Sequence, residues 1–149
     1  MDALAKEVLD EFGRLHDRMR AAVRDLDEDA LGRSPADGEN SIAVLVTHTL
    51  GSELGWLHRA AGRPFKRDRD AEFRAKASSA SLRASIDATE RQVTDLIEAT
   101  DAAGLATIRK MGDGADATAA FCVSHALAHT AEHVGHAELT RNLLGYGPK

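Results

Sequence analysis

The chain has 149 residues, 43% hydrophobic and 29% charged, with a formal net charge of −5. This is the size and balance of one compact domain spanning 1–149, and it excludes collagen-like or wholly disordered architectures. An acidic chain with only 4% aromatic residues lacks both the clustered cations and the stacking platform of a nucleic-acid binder, so no nucleic-acid partner is expected.

No stretch approaches the roughly 20 apolar residues of a membrane span; the run from Ser41 to Leu50 is interrupted by His48 and stops too early. No membrane partner is therefore expected. The opening Met1-Asp2-Ala3-Leu4-Ala5-Lys6-Glu7 carries charge inside any candidate apolar region and does not read as a signal peptide. A lone cysteine, Cys122, supports neither an internal disulfide nor a multi-cysteine zinc site. The expectation is a cytoplasmic protein.

Taken in chain order, Leu4, Val8, Phe12, Leu15, Met19, Val23 and Leu26 recur at steps of three and four and predict a first amphipathic helix. Gly32, Pro35 and Gly38 break it into a loop. Asn40 or Ser41 is placed to cap a second helix carrying Ile42, Leu45, Val46, Leu50, Leu54 and Leu57, which Gly62 and Pro64 end. Residues 63–76 form a connection dense in both signs of charge. A third helix is predicted from about Ser81 to Thr100, and a last one from about Asp116 to Leu144, with Gly145 ending it. No segment alternates with a period of two, so no sheet is expected. The pattern is all-α, and the roughly 20-residue link between helices two and three is long enough for a four-helix bundle with crossover connections.

The chemistry concentrates in histidine. Of seven, four fall on the last helix at His125, His129, His133 and His136. At about 100° per residue they lie at relative angles of roughly 0°, 40°, 80° and 20°, one stripe. Imidazoles four residues apart on a helix can converge on one metal ion. His48 supplies a third ligand from the second helix, where it closes an apolar run and sits near the inward face. Three neutral imidazoles leave coordination positions open, as in catalytic sites. A solvent-facing histidine-rich helix or a pH-sensitive interface would give the same stripe. The chain contains no HExxH, so a zincin protease is not indicated.

Two segments resemble a known family. Asn40-Ser41-Ile42-Ala43-Val44-Leu45-Val46-Thr47-His48-Thr49 resembles the second-helix motif of DinB-like proteins. His129-Thr130-Ala131-Glu132-His133-Val134-Gly135-His136 resembles their last-helix motif, and Leu143-Leu144-Gly145 fits the ending. The resemblance implies a DinB/YfiT-like four-helix bundle, similar to the metal-binding domain of mycothiol-dependent maleylpyruvate isomerase and to bacillithiol S-transferases. It further implies a divalent metal, zinc or nickel, held by His48, His129 and His133. The run Gly135-His136-Ala137-Glu138 looks more like the mycothiol-transferase branch.

The activity so implied is transfer of a thiol such as mycothiol to a small electrophile, by conjugation or isomerisation, in a homodimer. A metal-dependent hydrolase with the same ligands and a non-catalytic metal-binding bundle are the alternatives. His125 and His136 are expected to line the pocket or support the ligands from behind. No general base is assigned. Cys122 and Trp56 read as core, with Trp56 also suited to wall a ligand pocket. His16 and His58 read as surface or structural. Arg59, Arg63, Lys66 and Arg67 read as part of a solvated mixed-charge connection, although they could receive carboxylates. Carboxylates elsewhere read as solvated helix faces.

Overall fold

The computed structural model describes residues 3–100 and 102–147; Met1 and Asp2, which open the segment read for a signal peptide, lie outside them. Four long helices dominate: α1 (Ala3–Val23), α3 (Ile42–Ala60), α5 (Ser79–Glu98) and α7 (Ala119–Leu143). Between them lie the short helices α2 (Glu28–Gly32), α4 (Arg69–Glu72) and α6 (Ala102–Leu105), and the strands β1 (Ile108–Lys110) and β2 (Asp116–Thr118). Among the described residues no helix is long and apolar enough to cross a membrane.

Helix starts follow the local chemistry of side-chain oxygens. Ser41 Oγ accepts the Val44 amide at 3.3 Å, Ser78 Oγ accepts that of Ser81 at 3.1 Å and Thr118 Oγ1 that of Phe121 at 3.1 Å. Each such cap is worth about 1 kcal/mol. The last helix stops at Gly145, whose φ of 86° suits a residue without Cβ. The first stops at Val23 rather than at Leu26, because the chain turns through Asp25 at a φ of 60°. Leu26 is nevertheless buried, reaching the core from beyond the turn.

Two expectations are corrected. A small sheet exists: β1 and β2 pair antiparallel with Ile108 opposite Thr118, Arg109 opposite Ala117 and Lys110 opposite Asp116. Strands of three residues are too short for alternation to show in a sequence, and Gly114, at a φ of 84°, permits the tight turn between them. The last helix accordingly begins at Ala119, not Asp116, because residues 116–118 are held in the ladder.

Around the bundle the long helices follow the order α1, α5, α3, α7. Sequence neighbours α1 and α3 therefore face each other across a diagonal, as do α5 and α7. Their connections cross the ends of the bundle, which is the crossover topology rather than a simple up-and-down one. The core forms two apolar clusters. One gathers Leu15, Met19, Val23, Leu31, Ile42, Val46, Leu82, Ile86 and Val134. The other gathers Phe12, Leu54, Leu57, Val93, Leu96, Ile97, Cys122 and Ala126. In sequence, Glu53, Thr89 and Thr130 fall between these sets, and His16 follows Leu15 at the same level of α1, so each long helix buries a polar side chain there.

Candidate metal centre

α3 and α7 pack against each other more extensively than any other pair of elements, and this contact brings His48 to His129 and His133. Each offers a ring nitrogen, and the three nitrogens lie within 4.8 Å of one another. The ring centroids are 5.3 Å (His48–His129), 5.1 Å (His48–His133) and 4.3 Å (His129–His133) apart. His129 Nε2 and His133 Nε2 face each other at 3.1 Å. Two nitrogens bound tetrahedrally to one ion, with bonds of about 2.0–2.1 Å, would be separated by about 3.3 Å. The donor set and its spacing thus fit a first-row divalent ion.

The environment holds these imidazoles neutral, the form a ligand requires. His48 is buried, and burial lowers its pKa; Arg67 adds to the lowering while Glu72 opposes it. His133 is lowered by burial and by His48 and His136. His129 falls furthest, to about 4, through burial first and then through His133, His48 and His125. Its Nδ1 is buried with no hydrogen-bond partner among the described residues.

His48 is gripped from behind. Its Nδ1 lies 3.1 Å from Glu72 Oε2, and Arg67 donates to both oxygens of that carboxylate, at 2.6 Å from Nε and 2.7 Å from Nη2. Arg67 Nη2 also reaches within 3.2 Å of His48 Nδ1. Two local features deliver Glu72. Asp68 caps α4 by accepting the Ala71 amide at 2.9 Å. Gly51 clears the space: a Cβ there would stand 2.8 Å from Glu72 Cδ, overlapping the carboxylate.

The remaining stripe members divide. His136 is exposed, with Nδ1 3.2 Å from His133 Nδ1. His125 stands apart from the three converging nitrogens, its ring 4.2 Å from Trp56 and 5.7 Å from Phe121, in an aromatic row that continues to His129 at 6.0 Å. A cavity of about 520 Å³ opens beside His133 and His136, with Leu45, Leu139 and Leu143 on its wall beside the polar Glu39, Asn40 and Thr140. Cys122 is fully buried in the apolar core, and burial raises its thiol pKa.

The expectation that carboxylates away from the stripe are solvated fails at Glu53 and Glu72, both buried. Glu53 lay within reach of sequence reading: steps from Val46 to Leu50, Glu53 and Leu57 place it on the apolar face of α3. His16 proves structural and wholly buried, its Nε2 2.8 Å from Glu53 Oε1, while Thr130 Oγ1 donates to Glu53 Oε2 at 2.8 Å. Glu72 carried no such signal, because it sits in the charged connection and reaches His48 only through tertiary packing. Within that connection Arg67 is drawn half-buried against Glu72, while Arg63 and Lys66 stay exposed as expected; Arg63 and Arg67 line a cavity with Arg59.

Solved structures agree with the fold. A conserved protein from Enterococcus faecalis superposes with a TM-score of 0.81 at 14% identity, covering 97% of this chain and 98% of its own. A DinB-like protein from Bacillus cereus gives 0.76 at 12% identity, over 94% and 92%. YfiT from Bacillus subtilis, described as a probable metal-dependent hydrolase with an unusual four-helix bundle topology, gives 0.76 at 14% identity, over 99% and 91%. No curated protein matches the chain in sequence. The DinB superfamily model, however, matches residues 7–137, a span that holds α3, most of α7 and all three converging histidines, and the chain belongs to that superfamily.

Proposed function

We propose that this protein is a metal-dependent thiol S-transferase. In this reading His48, His129 and His133 hold one divalent ion, zinc or nickel, and a low-molecular-weight thiol such as mycothiol is joined to a small electrophile. The observation that carries the reading is the convergence of three neutral imidazoles, one of them braced by a buried carboxylate. A divalent ion held there supplies positive charge that favours the ionised form of a thiol or of water near neutral pH.

The chain's own residues prepare that chemistry. Glu72 accepts the Nδ1–H of His48, fixing the tautomer that leaves Nε2 bare and making that nitrogen more basic. Arg67 immobilises the carboxylate through two hydrogen bonds. His133 can likewise hand its Nδ1–H to His136, leaving Nε2 for the cluster. The thiol proton leaves to solvent, and a sulfur lone pair forms the new C–S bond. On the carbon side, either a leaving group departs with its electron pair, or a double-bond pair shifts to the neighbouring carbon and takes a proton. The cavity beside His133, walled partly by leucines and partly by polar residues, offers space for a small electrophile. Assembly as a homodimer, implied by the family, belongs to the same proposal, and sedimentation of the purified protein tests it.

Hydrolysis at the same histidines is the second reading, favoured by the description of YfiT as a probable metal-dependent hydrolase. Elemental mass spectrometry on tag-free protein, purified without chelators, is expected to find about one zinc or nickel per chain. With mycothiol and chlorodinitrobenzene, conjugation should exceed the background rate and fall to it in His129→Ala of retained helicity. Thiol-independent cleavage of activated esters or amides would select the hydrolase. Failure to take up zinc or nickel would overturn both.

A further inference from the structure

Next to the histidine cluster lies a second cavity, of about 590 Å³. Arg59, Arg63, Arg67, Arg109 and Lys110 line it together with Trp56, and no carboxylate does. In a chain of net charge −5, five cations around one cavity is a marked separation of charge. Arg67 is paired with Glu72 and Lys110 with Asp116. Among the described residues, Arg59, Arg63 and Arg109 pair with no carboxylate. The C-terminal dipole of α3 accounts for a cation in its last turn, such as Arg59. The same helix end also takes the Nε of Arg109, which arrives from the hairpin, through the Ala60 carbonyl, but it leaves Arg63 and the Nη groups of Arg109 unaccounted for.

Two of these guanidinium groups are held in place. Arg59 lies over the Trp56 ring, 5.2 Å from its centroid. Arg109 donates from Nε to the Ala60 carbonyl at 3.0 Å. Its guanidinium rests on Gly62, where a Cβ would come within 3.1 Å of Cζ and where φ is +68°. A side chain at that position would crowd the guanidinium and would also strain a backbone at positive φ, so glycine suits the close approach.

The cavity and the histidine cluster share a wall. His48, Ser52, Trp56 and Arg59 recur at steps of three and four along α3, and eleven residues of helix span about 16 Å. Arg67 joins the two directly, lining the cavity while touching His48 Nδ1.

We propose that this cavity binds the anionic end of an extended ligand, a group with two or more negative charges in the form of a phosphoryl or clustered carboxylates, whose other end reaches the histidine cluster. Guanidinium groups suit such anions because their N–H donors match two oxygens at once. The link to the histidines rests on the metal-centre reading above; the anion site does not.

Trp56 is the only tryptophan in the chain, so its fluorescence reports on the cavity. Titrating the full-chain protein, as purified, with inorganic phosphate and with tricarballylate is expected to give a saturable change, tighter for the tricarboxylate and weakened by sodium chloride. Arg63→Gln combined with Arg109→Lys should weaken binding about tenfold or more, with helicity unchanged. Arg18→Gln, at a remote ion pair with Glu138, should leave it intact, and so should His129→Ala. The proposal is overturned if neither anion gives a saturable signal by fluorescence or calorimetry. It is equally overturned if Arg18→Gln weakens binding as much as the cavity variant does. Metal uptake without anion binding removes the anion site alone; anion binding by a protein that takes no metal removes the metal-centre reading alone.

Discussion

Two histidine–carboxylate pairs are built on or against the same helix, and they end in opposite states. His16 and Glu53 meet in the middle of the bundle, both fully buried, and Thr130 takes the second carboxylate oxygen. Every oxygen of Glu53 is used up by the protein itself. His48 and Glu72 meet nearer the surface, where the carboxylate holds the back of the ring while the front joins two more imidazoles that bring no carboxylate of their own. A histidine and a carboxylate in contact therefore do not by themselves mark a site. The second pair differs because its bonds leave ring nitrogens converging on a common point, and because burial keeps those nitrogens unprotonated.

Breaking the first pair is expected to have the largest effect. Glu53→Ala leaves His16 and the Thr130 hydroxyl buried without their acceptor and should cost about 3 kcal/mol or more in urea unfolding, while metal uptake by the folded fraction persists. If Glu53→Ala instead abolished metal uptake at unchanged stability, the contrast between the pairs would collapse. Glu72→Gln reverses the pattern: metal affinity, measured by competition with a chromophoric chelator, should fall about 10–100-fold, with stability close to that of the parent.

The smallest expected effect is on pH dependence. His48, His129 and His133 have pKa values lowered from 6.5, to about 4 for His129. The unfolded chain thus binds protons near pH 6.5 that the folded chain refuses until lower pH. Metal-free protein should keep a constant urea midpoint above about pH 7.5 and lose stability as pH falls from about 6.5 toward 4. His129→Ala should flatten that decline, and an unchanged slope would show that burial does not hold this ring neutral.

Periodicity and capping made most of the fold legible. The four long helices follow from apolar residues three and four apart, from Ser41 at a helix start and from Gly145 past a helix end, all local signals. The hairpin was not legible, since three-residue strands carry too few positions to show alternation. At the candidate site, the one-face arrangement of His129 and His133 is a property of helical spacing, and His48 was joined to them by its place at the end of an apolar run and then by the motif resemblance. Glu53 could have been found from its place in the apolar register of α3, but a charged residue there was read as solvated.

What the sequence determined alone is whatever depends on neighbours within a helical turn or two: the all-α class, the histidine stripe, the caps. Tertiary structure decided the rest, because those contacts join residues that spacing cannot relate. It set the diagonal order of the helices and chose which two stripe histidines face His48. Through the space left by Gly51, it also brought Glu72 and Arg67 out of a charged connection to the back of His48. It carried Arg109 from the hairpin to the end of α3, concentrating in one cavity a charge that a net-acidic composition hides.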